Sequence, residues 1–198
     1  MAENETVTPK NTQNSSSNAS KDLLVTRTKI VPAVNLGTED APDWEVCGKG
    51  WTKFSESPNA QTESTKYINM ESETTDTTSY SPKYSFECDL MASERSIKTI
   101  YGIAKGRKTG SECVLPFLII DKFDPVDGQE GKYVAWRENL AVAVSSIDGE
   151  KKMKMSGDLN SQGDTVKGVA EIDNNGKITF TPDTKKEESE DEENPPES

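Results

Sequence analysis

The segment "DKFDPVDGQEG" contains the clearest metal-ligand chemistry in this sequence. Its four acidic residues are Asp121, Asp124, Asp127 and Glu130. Carboxylate oxygens suit Ca²⁺, but in a calcium loop the acids occupy alternate positions and a bidentate glutamate closes the loop at position 12. Here the acids recur every third residue and that glutamate is absent. The segment is therefore interpreted as a solvated connection between strands, with Pro125 and Gly128 as turn residues.

Acid–base catalysis has little to use in this chain. There is no histidine, which removes the commonest general base and the usual catalytic dyads and triads. Glu87 and Asp89 resemble the carboxylate pair of a glycosidase only superficially, because such pairs face each other across a cleft. A small hydrolase that uses aspartate and glutamate is thus the reading with the least support. The sequence predicts a protein that is not an enzyme and that holds no cofactor or metal.

The cysteines and tryptophans allow structural and binding interpretations. The chain has three cysteines, Cys47, Cys88 and Cys113, and their spacing shows no pairs. An odd, unpaired set disfavours a disulfide framework or a zinc site and predicts that these cysteines are small buried hydrophobic residues. The tryptophans are Trp44, Trp51 and Trp136. They more often anchor a core or an interface, but an exposed platform would make the chain a surface-binding or decoration module, such as an adhesin or a carbohydrate-binding domain.

Composition divides the chain into a foldable body and two polar tails. Of the 198 residues, 29% are charged and only 31% are hydrophobic, and apolar residues are scarce in the first twenty positions and absent from the last fourteen. Such segments cannot bury enough surface to fold. We therefore expect a disordered or extended tail at 1–22, one domain at 23–183, and a disordered acidic tail at 184–198.

The charge of the chain limits its partners. The formal net charge is −12, and the two lysines and seven acids from Lys185 onward contribute −5 of it, which leaves −7 for the remainder. An acidic body cannot replace the counterions of DNA, and an anionic membrane surface repels it for the same reason. The longest apolar run, "CVLPFLII", is too short to span a bilayer. The N-terminus lacks a basic segment followed by an apolar run, so no signal peptide is predicted.

The first half of the chain reads as extended segments around a polar arm. Residues 23–34 are rich in branched side chains and predict an extended N-terminal arm, with an edge or a break at Pro32. Residues 44–54 predict one strand with a bulge at its glycines. The polar arm at about 55–82 follows, with a strand-like "KYINM" inside it. The next segment alternates: Tyr84, Phe86, Cys88 and Leu90 share one face, and Lys83, Ser85, Glu87 and Asp89 share the other.

One helix and several further strands complete the prediction. The segment "SERSIKTIYGIAKG" offers Ser93 as N-cap, Ile97 and Ile100 at helical spacing, and Gly106 as C-cap. The segment "CVLPFLIIDKF", which contains Phe117, is apolar on both faces and predicts a central strand. The segment "GKYVAWRENLAVAVSSI", which contains Trp136, is long enough for two strands or one bent strand. The whole pattern predicts a sandwich or barrel with one helix packed against it.

The order of these motifs resembles that of phage major tail proteins, the subunits of the tail tube in long-tailed phages. A strand with "W…G" leads to "F-x-E-S-x-N", then "YI", then a polar loop, then a "Y-x-P-x-[YF]-x-F" strand. The matching residues are Phe54, Glu56, Asn59, Tyr67, Ile68, Tyr80, Pro82, Tyr84 and Phe86. The second half matches through "I-x-x-I-Y", "GKYVAWRENLAVAV" and the glycine pattern between Met153 and Gly168. The resemblance covers about Leu23 to Phe180.

This resemblance implies a β-sandwich or barrel-like subunit with one flanking helix. Six subunits would close a ring with a continuous inner β-barrel, and stacked rings would form the virion tube through which DNA passes without specific binding. Further partners would be the tape measure protein, the tail terminator and the baseplate or tip proteins, with assembly in the host cytoplasm.

The sequence patterns and the resemblance together predict roles for individual residues. The lumen would be lined by Lys83, Ser85, Glu87 and Asp89, and its negative charge would repel DNA. The polar arm, ordered only on meeting the next ring, would stack the rings, and the extended N-terminal arm would act similarly. The residues assigned to the inter-ring loop are Asn59, Glu63, Tyr67, Asp76 and Tyr80. The residues assigned to the core are Tyr84, Phe86, Leu90, Ile97, Ile100, Phe117 and Trp136.

Overall fold

The computed structural model describes residues 24–183, so the predictions for the tails at 1–22 and 184–198 fall outside the described residues. The described part is mainly β, with one α-helix, α1 (Arg95–Gly106). The strands are β1 (Ile30–Asn35), β2 (Trp44–Val46), β3 (Trp51–Ser57), β4 (Ala60–Thr65), β5 (Thr74–Tyr80), β6 (Lys83–Asp89), β7 (Val114–Pro125), β8 (Lys132–Asp148), β9 (Lys154–Ser161), β10 (Val166–Ile172) and β11 (Ile178–Pro182).

Nine of the strands form one antiparallel sheet. Its order is β2-β1-β7-β8-β9-β6-β3, and β10 pairs with both β8 and β11 beside this path. Strands β2 and β3 occupy opposite edges although only residues 47–50 separate them in the chain. The sheet must therefore curl until its edges approach each other, as a half-barrel. This confirms the predicted class, a barrel-like or sandwich-like β fold with one flanking helix.

The prediction of a single strand over residues 44–54 is wrong. The chain leaves the sheet after Val46 and re-enters at Trp51 on the opposite edge. At Gly50 φ is +85°, and a Cβ there would lie 2.8 Å from Cδ1 of Ile97. Glycine is required at this turn because an L side chain would be strained and would clash. The glycines thus mark a crossing between edges and not a bulge.

Strand β1 is an inner strand of the sheet and not a free arm. It pairs with β2 on one side and with β7 on the other, and Ala33 and Val34 are completely buried on its two faces. The Pro32 carbonyl accepts a hydrogen bond of 2.8 Å from the Cys47 N–H, just past the end of β2. The missing N–H of Pro32 points to the same side, where β2 has already ended, so the loss to the ladder is small.

Both faces of the central strands are covered. On one face, α1 packs over a core that includes Tyr84, Phe86, Phe117 and Leu140. On the other face, β10 and β11 cover a smaller core. Its buried members are Ala33, Leu118, Ile120, Ala135, Ala170 and Ile178. Strand β7 contributes to both cores, as its apolar character on both faces predicts, and β8 is one strand of 17 residues.

The ends of α1 differ from the prediction. Glu94 and not Ser93 is the N-cap residue, and its side chain makes no capping bond. Instead Glu45 of β2 accepts a hydrogen bond of 2.8 Å from the Ser96 N–H, so the helix is capped from the sheet. At the other end Arg107 adopts the left-handed conformation with φ of 50°, one position later than the predicted Gly106.

Candidate functional site

The predicted polar arm is a β-hairpin. Strands β4 and β5 form a separate two-stranded sheet, and every residue of both strands is exposed. The hydroxyl side chains that made the segment look featureless pair across the strands, as in the 2.9 Å bond between Ser64 and Thr75. The segment is therefore a hairpin and not a loop, and its ordering on contact with the next ring stays a prediction. The segment "KYINM" lies in the connection between the two strands and not in a strand.

The hairpin extends the β3–β6 ribbon beyond a break. Pairing of β3 with β6 ends at Ser57 and Lys83, and after two unpaired residues on each side it resumes in β4 and β5 at Ala60 and Tyr80. Pro58 and Pro82 interrupt the ladder because proline has no N–H to donate. The side chain of Asn59 donates to the Ser81 carbonyl at 3.1 Å across the break. The hairpin therefore projects from the end of the ribbon as a distinct element.

The hairpin brings the residues predicted for ring stacking onto one element. Asn59 and Tyr80 lie at its base, Glu63 and Asp76 face each other in β4 and β5, and Tyr67 lies in the connection. Two acids directly opposite each other destabilise an isolated hairpin. The arrangement therefore suits a hairpin that a partner surface stabilises.

The tip of the hairpin, residues 66–73, exposes three large apolar side chains. Ile68 is fully exposed, at 109% of its reference area, and Tyr67 and Met70 are exposed beside it. Sequence reasoning assigned Tyr67 to the stacking loop but did not single out Ile68 or Met70 as part of it. Three large apolar side chains in the connection of an otherwise polar hairpin were the available signal.

An apolar groove lies at the other end of the same ribbon. It is formed by the chain after β6 and by the first turns of α1, and its volume is about 330 Å³. The lining residues are Leu90, Met91, Ala92, Ile97, Lys98 and Tyr101. The hairpin leaves β6 at Lys83 and the groove begins after Asp89, so about 20 Å of strand separates the two features. One copy of the chain cannot bring its own hairpin tip to its own groove over that path without unpairing β6.

The residues predicted to line the lumen share one half-buried face of β6. Lys83, Ser85, Glu87 and Asp89 alternate with the buried Tyr84, Phe86 and Cys88. Two ion pairs connect this face of β6 to β9. Nζ of Lys83 lies 2.9 Å from Oδ2 of Asp158, and Nζ of Lys154 lies 2.8 Å from Oε1 of Glu87.

The charges on this face nearly balance. The cross-strand partners place on it Lys53, Lys83 and Lys154, and the acids Glu87, Asp89, Asp148 and Asp158. In each of these two ion pairs the lysine donates a hydrogen bond to the carboxylate, and this bond lowers the pKa of Glu87 and of Asp158. The face is only slightly negative, less so than the net charge of the chain suggested.

The residues predicted for the core divide between inside and edge. Tyr84, Phe86, Ile97, Ile100 and Phe117 are buried in the helix-covered core, and Leu90 packs partly buried against it. The assignment of Trp136 to the core is wrong, because its side chain is 36% exposed. It lies two residues before Glu138 on the same face of β8, where the apolar core has already ended, and its indole N–H donates to Asp121 at 3.1 Å.

The three tryptophans do not form one platform. Trp51 packs on the helix-covered core and Trp44 packs on the opposite core, and Trp136 lies beside Asp121. The described residues therefore offer no stacked aromatic surface for a sugar, and no observation favours the reading as a carbohydrate-binding module.

An acidic pocket lies at the base of the hairpin, and sequence reasoning missed it. Glu138 is buried, with 6% of its surface exposed, and its Oε1 accepts a hydrogen bond of 2.8 Å from the Tyr84 hydroxyl. Burial raises the pKa of Tyr84 well above its usual value, and the Glu138 charge raises it further. The signal was present in the sequence: Glu138 falls in the alternation of Leu140 and Val142, which face the core.

Two further carboxylates border this pocket. Glu56 is exposed as a residue, but partial desolvation of its carboxylate raises its pKa, and the neighbouring Glu138 and Asp121 carboxylates raise it further. Burial also raises the pKa of Asp121, although the hydrogen bond from Trp136 opposes the shift. Within residues 24–183, no three His, Cys, Asp or Glu side chains are grouped so that they could hold a metal ion. In the same range no helix is long and apolar enough for a membrane crossing.

Comparisons with known proteins return little. No family model matches the chain, and no curated protein matches it. Among solved structures, the chain is similar to one in the cryo-EM structure of the anti-feeding prophage baseplate, with 7% identity and a TM-score of 0.41, over 70% of this chain and 91% of that one. A likeness this weak carries no argument about fold or function.

Proposed function

We propose that this chain is a structural virion protein that assembles into stacked rings, six subunits to a ring by resemblance, to form the tail tube of a long-tailed phage. The observation that carries the proposal is the placement of an exposed hairpin with an apolar tip at one end of β6 and an apolar groove at the other end. The chain has no catalytic role and holds no cofactor in this proposal.

The two ends of the subunit are complementary. A two-stranded hairpin alone is marginally stable in water, so this one gains stability when its tip is buried. Residues 60–80 carry four acids, Glu63, Glu71, Glu73 and Asp76, and one lysine. The groove contains Lys98 and no acid. The apolar contact and the charge balance therefore favour insertion of one copy's tip into the groove of another.

Such a contact is heterologous and propagates. Two different surfaces meet, so each bound copy still presents a free groove or a free tip, and the assembly grows as an open stack. This is the symmetry that a tube of stacked rings requires. An isologous dimer would instead use the same patch on both copies and would stop at two.

Ring closure uses the edges of the curled sheet. Strand β3 is an edge of seven residues, and the opposite edge is the three-residue β2 with the adjoining part of β1. An unpaired strand edge is a template for pairing with another chain, and a closed ring of copies removes that exposure.

In the ring, the polar face of β6 and β9 lines the bore. Lys83 and Lys154 are held in ion pairs with carboxylates, so these two lysines offer little to DNA phosphates, and the small negative balance discourages counterion exchange. DNA then passes without binding. By resemblance, the tube ends on terminator and baseplate or tip proteins, encloses a tape measure protein, and assembles in the host cytoplasm.

Electron microscopy of the purified chain tests the proposal. Negative staining should show rings or hollow tubes, and a variant in which residues 60–80 are replaced by a two-glycine turn should fold but not stack. The deletion is tolerated because the strands of the hairpin pair only with each other. Full-length tubes from the deletion variant, or dispersed monomers of the wild-type chain at all concentrations, would overturn the assignment.

A further inference from the structure

The acidic pocket at the base of the hairpin has the form of a binding site. Its volume is about 430 Å³, and Glu138, Tyr84, Glu56 and Asp121 are among the residues that line it. Its apolar wall comes from Ile30, Pro58, Pro82, Tyr80 and Ile119. Of the residues that line it, three are acidic and none is basic.

Glu138 is only half satisfied in this pocket. Its Oε1 accepts the Tyr84 hydrogen bond, whereas its buried Oε2 has no partner. A buried carboxylate oxygen without a donor is costly. The six ion pairs among the described residues involve neither Glu138, Glu56 nor Asp121. The Lys167 amine lies 5.6 Å from the Trp136 ring and pairs with none of them.

We propose that this pocket binds a guanidinium or ammonium group, presented by a basic side chain of a second copy of this chain. The carboxylates are too dispersed for one metal ion. A guanidinium carries several N–H donors in a planar fork and can reach acids that are apart from each other. The apolar wall suits the aliphatic stem that carries the charged group.

The chain has a basic surface that fits this role. Lys98, Lys105, Arg107 and Lys108 are exposed on or just after α1, and no described ion pair involves them. Arg107 and Lys108 border a depression formed with residues 142–147 of β8. Val144, near the centre of this part of β8, lies about 20 Å along the strand from Glu138. The basic surface therefore meets the acidic pocket between copies, and this part of the inference rests on the proposed function.

The first arm of the test examines the pocket in the unassembled full-length chain. The probe is N-acetylarginine amide, with uncharged N-acetylglutamine amide as its control, and the readout is the Trp136 indole resonance, identified with Trp136→Phe. Arginine should shift this resonance saturably and glutamine should not. Glu138→Gln and Glu56→Gln should each weaken binding about tenfold, whereas Glu171→Gln, which alters an exposed acid outside the pocket, should not change it.

Several results of this arm would overturn the pocket. These are the absence of a saturable shift, equal binding of the glutamine control, and tighter binding of Ca²⁺ alone. If Glu138→Gln does not fold, Glu56→Gln decides the outcome, because Glu56 is exposed and its exchange leaves the core intact.

The second arm examines the source of the cation. The double variant Arg107→Glu with Lys108→Glu should lose assembly, and adding Glu56→Lys should partly restore it. Wild-type assembly by the double variant would overturn the second copy as the source, whatever the first arm shows. If the wild-type chain does not assemble at all, the proposed function fails, and the first arm still decides whether the pocket binds the cation.

Discussion

Replacing Ile68 with aspartate is expected to stop stacking without harming the fold. The side chain is fully exposed in the single subunit, so its removal costs no folding stability there. Burying an isoleucine contributes about 1.5–3 kcal/mol, and burying an unpaired carboxylate in its place is unfavourable. If a ring makes six such contacts with the next, their combined loss is about 9–18 kcal/mol, enough to prevent a stack.

Sedimentation velocity and negative-stain microscopy measure this effect together. The aspartate variant should remain as monomers or single rings at concentrations where the wild-type chain forms tubes, with an unchanged unfolding midpoint. Ile68→Leu is the matched control, because it keeps the apolar surface and should still give tubes. Tubes of wild-type length from the aspartate variant would refute the role of the hairpin tip, and so would loss of tubes from the leucine variant.

Three other expectations concern charge and burial. Changing both Glu87 and Asp89 to lysine should leave tubes intact and slow DNA ejection in a phage-release assay, because freed cations would bind phosphate; normal infection by that variant would contradict the lumen assignment. Tyr84→Phe removes the one hydrogen-bond donor that residues 24–183 supply to the buried Glu138 carboxylate and should lower the free energy of unfolding in urea by about 1.5–3 kcal/mol. An unchanged value would show that another group satisfies this carboxylate. Desolvation raises the pKa of Glu45, but hydrogen bonds from the helix N-terminus outweigh it, and the net pKa is lowered. The Glu45 carboxylate therefore stabilises the fold above about pH 4.5, and this contribution is lost as pH falls through the pKa of the folded state. Glu45→Gln should remove that part of the pH dependence of thermal melts, and an identical pH profile would count against the cap.

Local patterns predicted the parts of the fold that local physics decides. The alternation in β6 and the helical spacing around Ile97 each reflect one element against one core, and both are found. The glycines around Lys49 gave no such information, because only the sheet order shows that the chain crosses between edges there. A turn and a bulge have the same composition, so sequence alone could not separate them.

The candidate site was harder to predict because its residue types are compatible with more than one local structure. Serine and threonine both indicate a loop by their polarity, whereas threonine also favours a strand because it is β-branched. In residues 60–80 cross-strand pairing decides in favour of the strand. Trp136 and Glu138 occupy the same face of β8, one exposed and one buried. Side-chain polarity alone predicted a buried Trp136 and an exposed Glu138. The place where the core ends depends on tertiary packing, and the periodicity of the sequence carries no information about it.

The break at Pro58 and Pro82 makes the hairpin a cassette. Its strands pair with nothing else among the described residues, so the subunit can tolerate a new hairpin sequence without any change to its core. Exchanging that cassette would therefore alter which subunits copolymerise while each continues to fold alone. Two variants in which the hairpin and the groove of the neighbouring copy are changed together should form separate filaments when they are mixed.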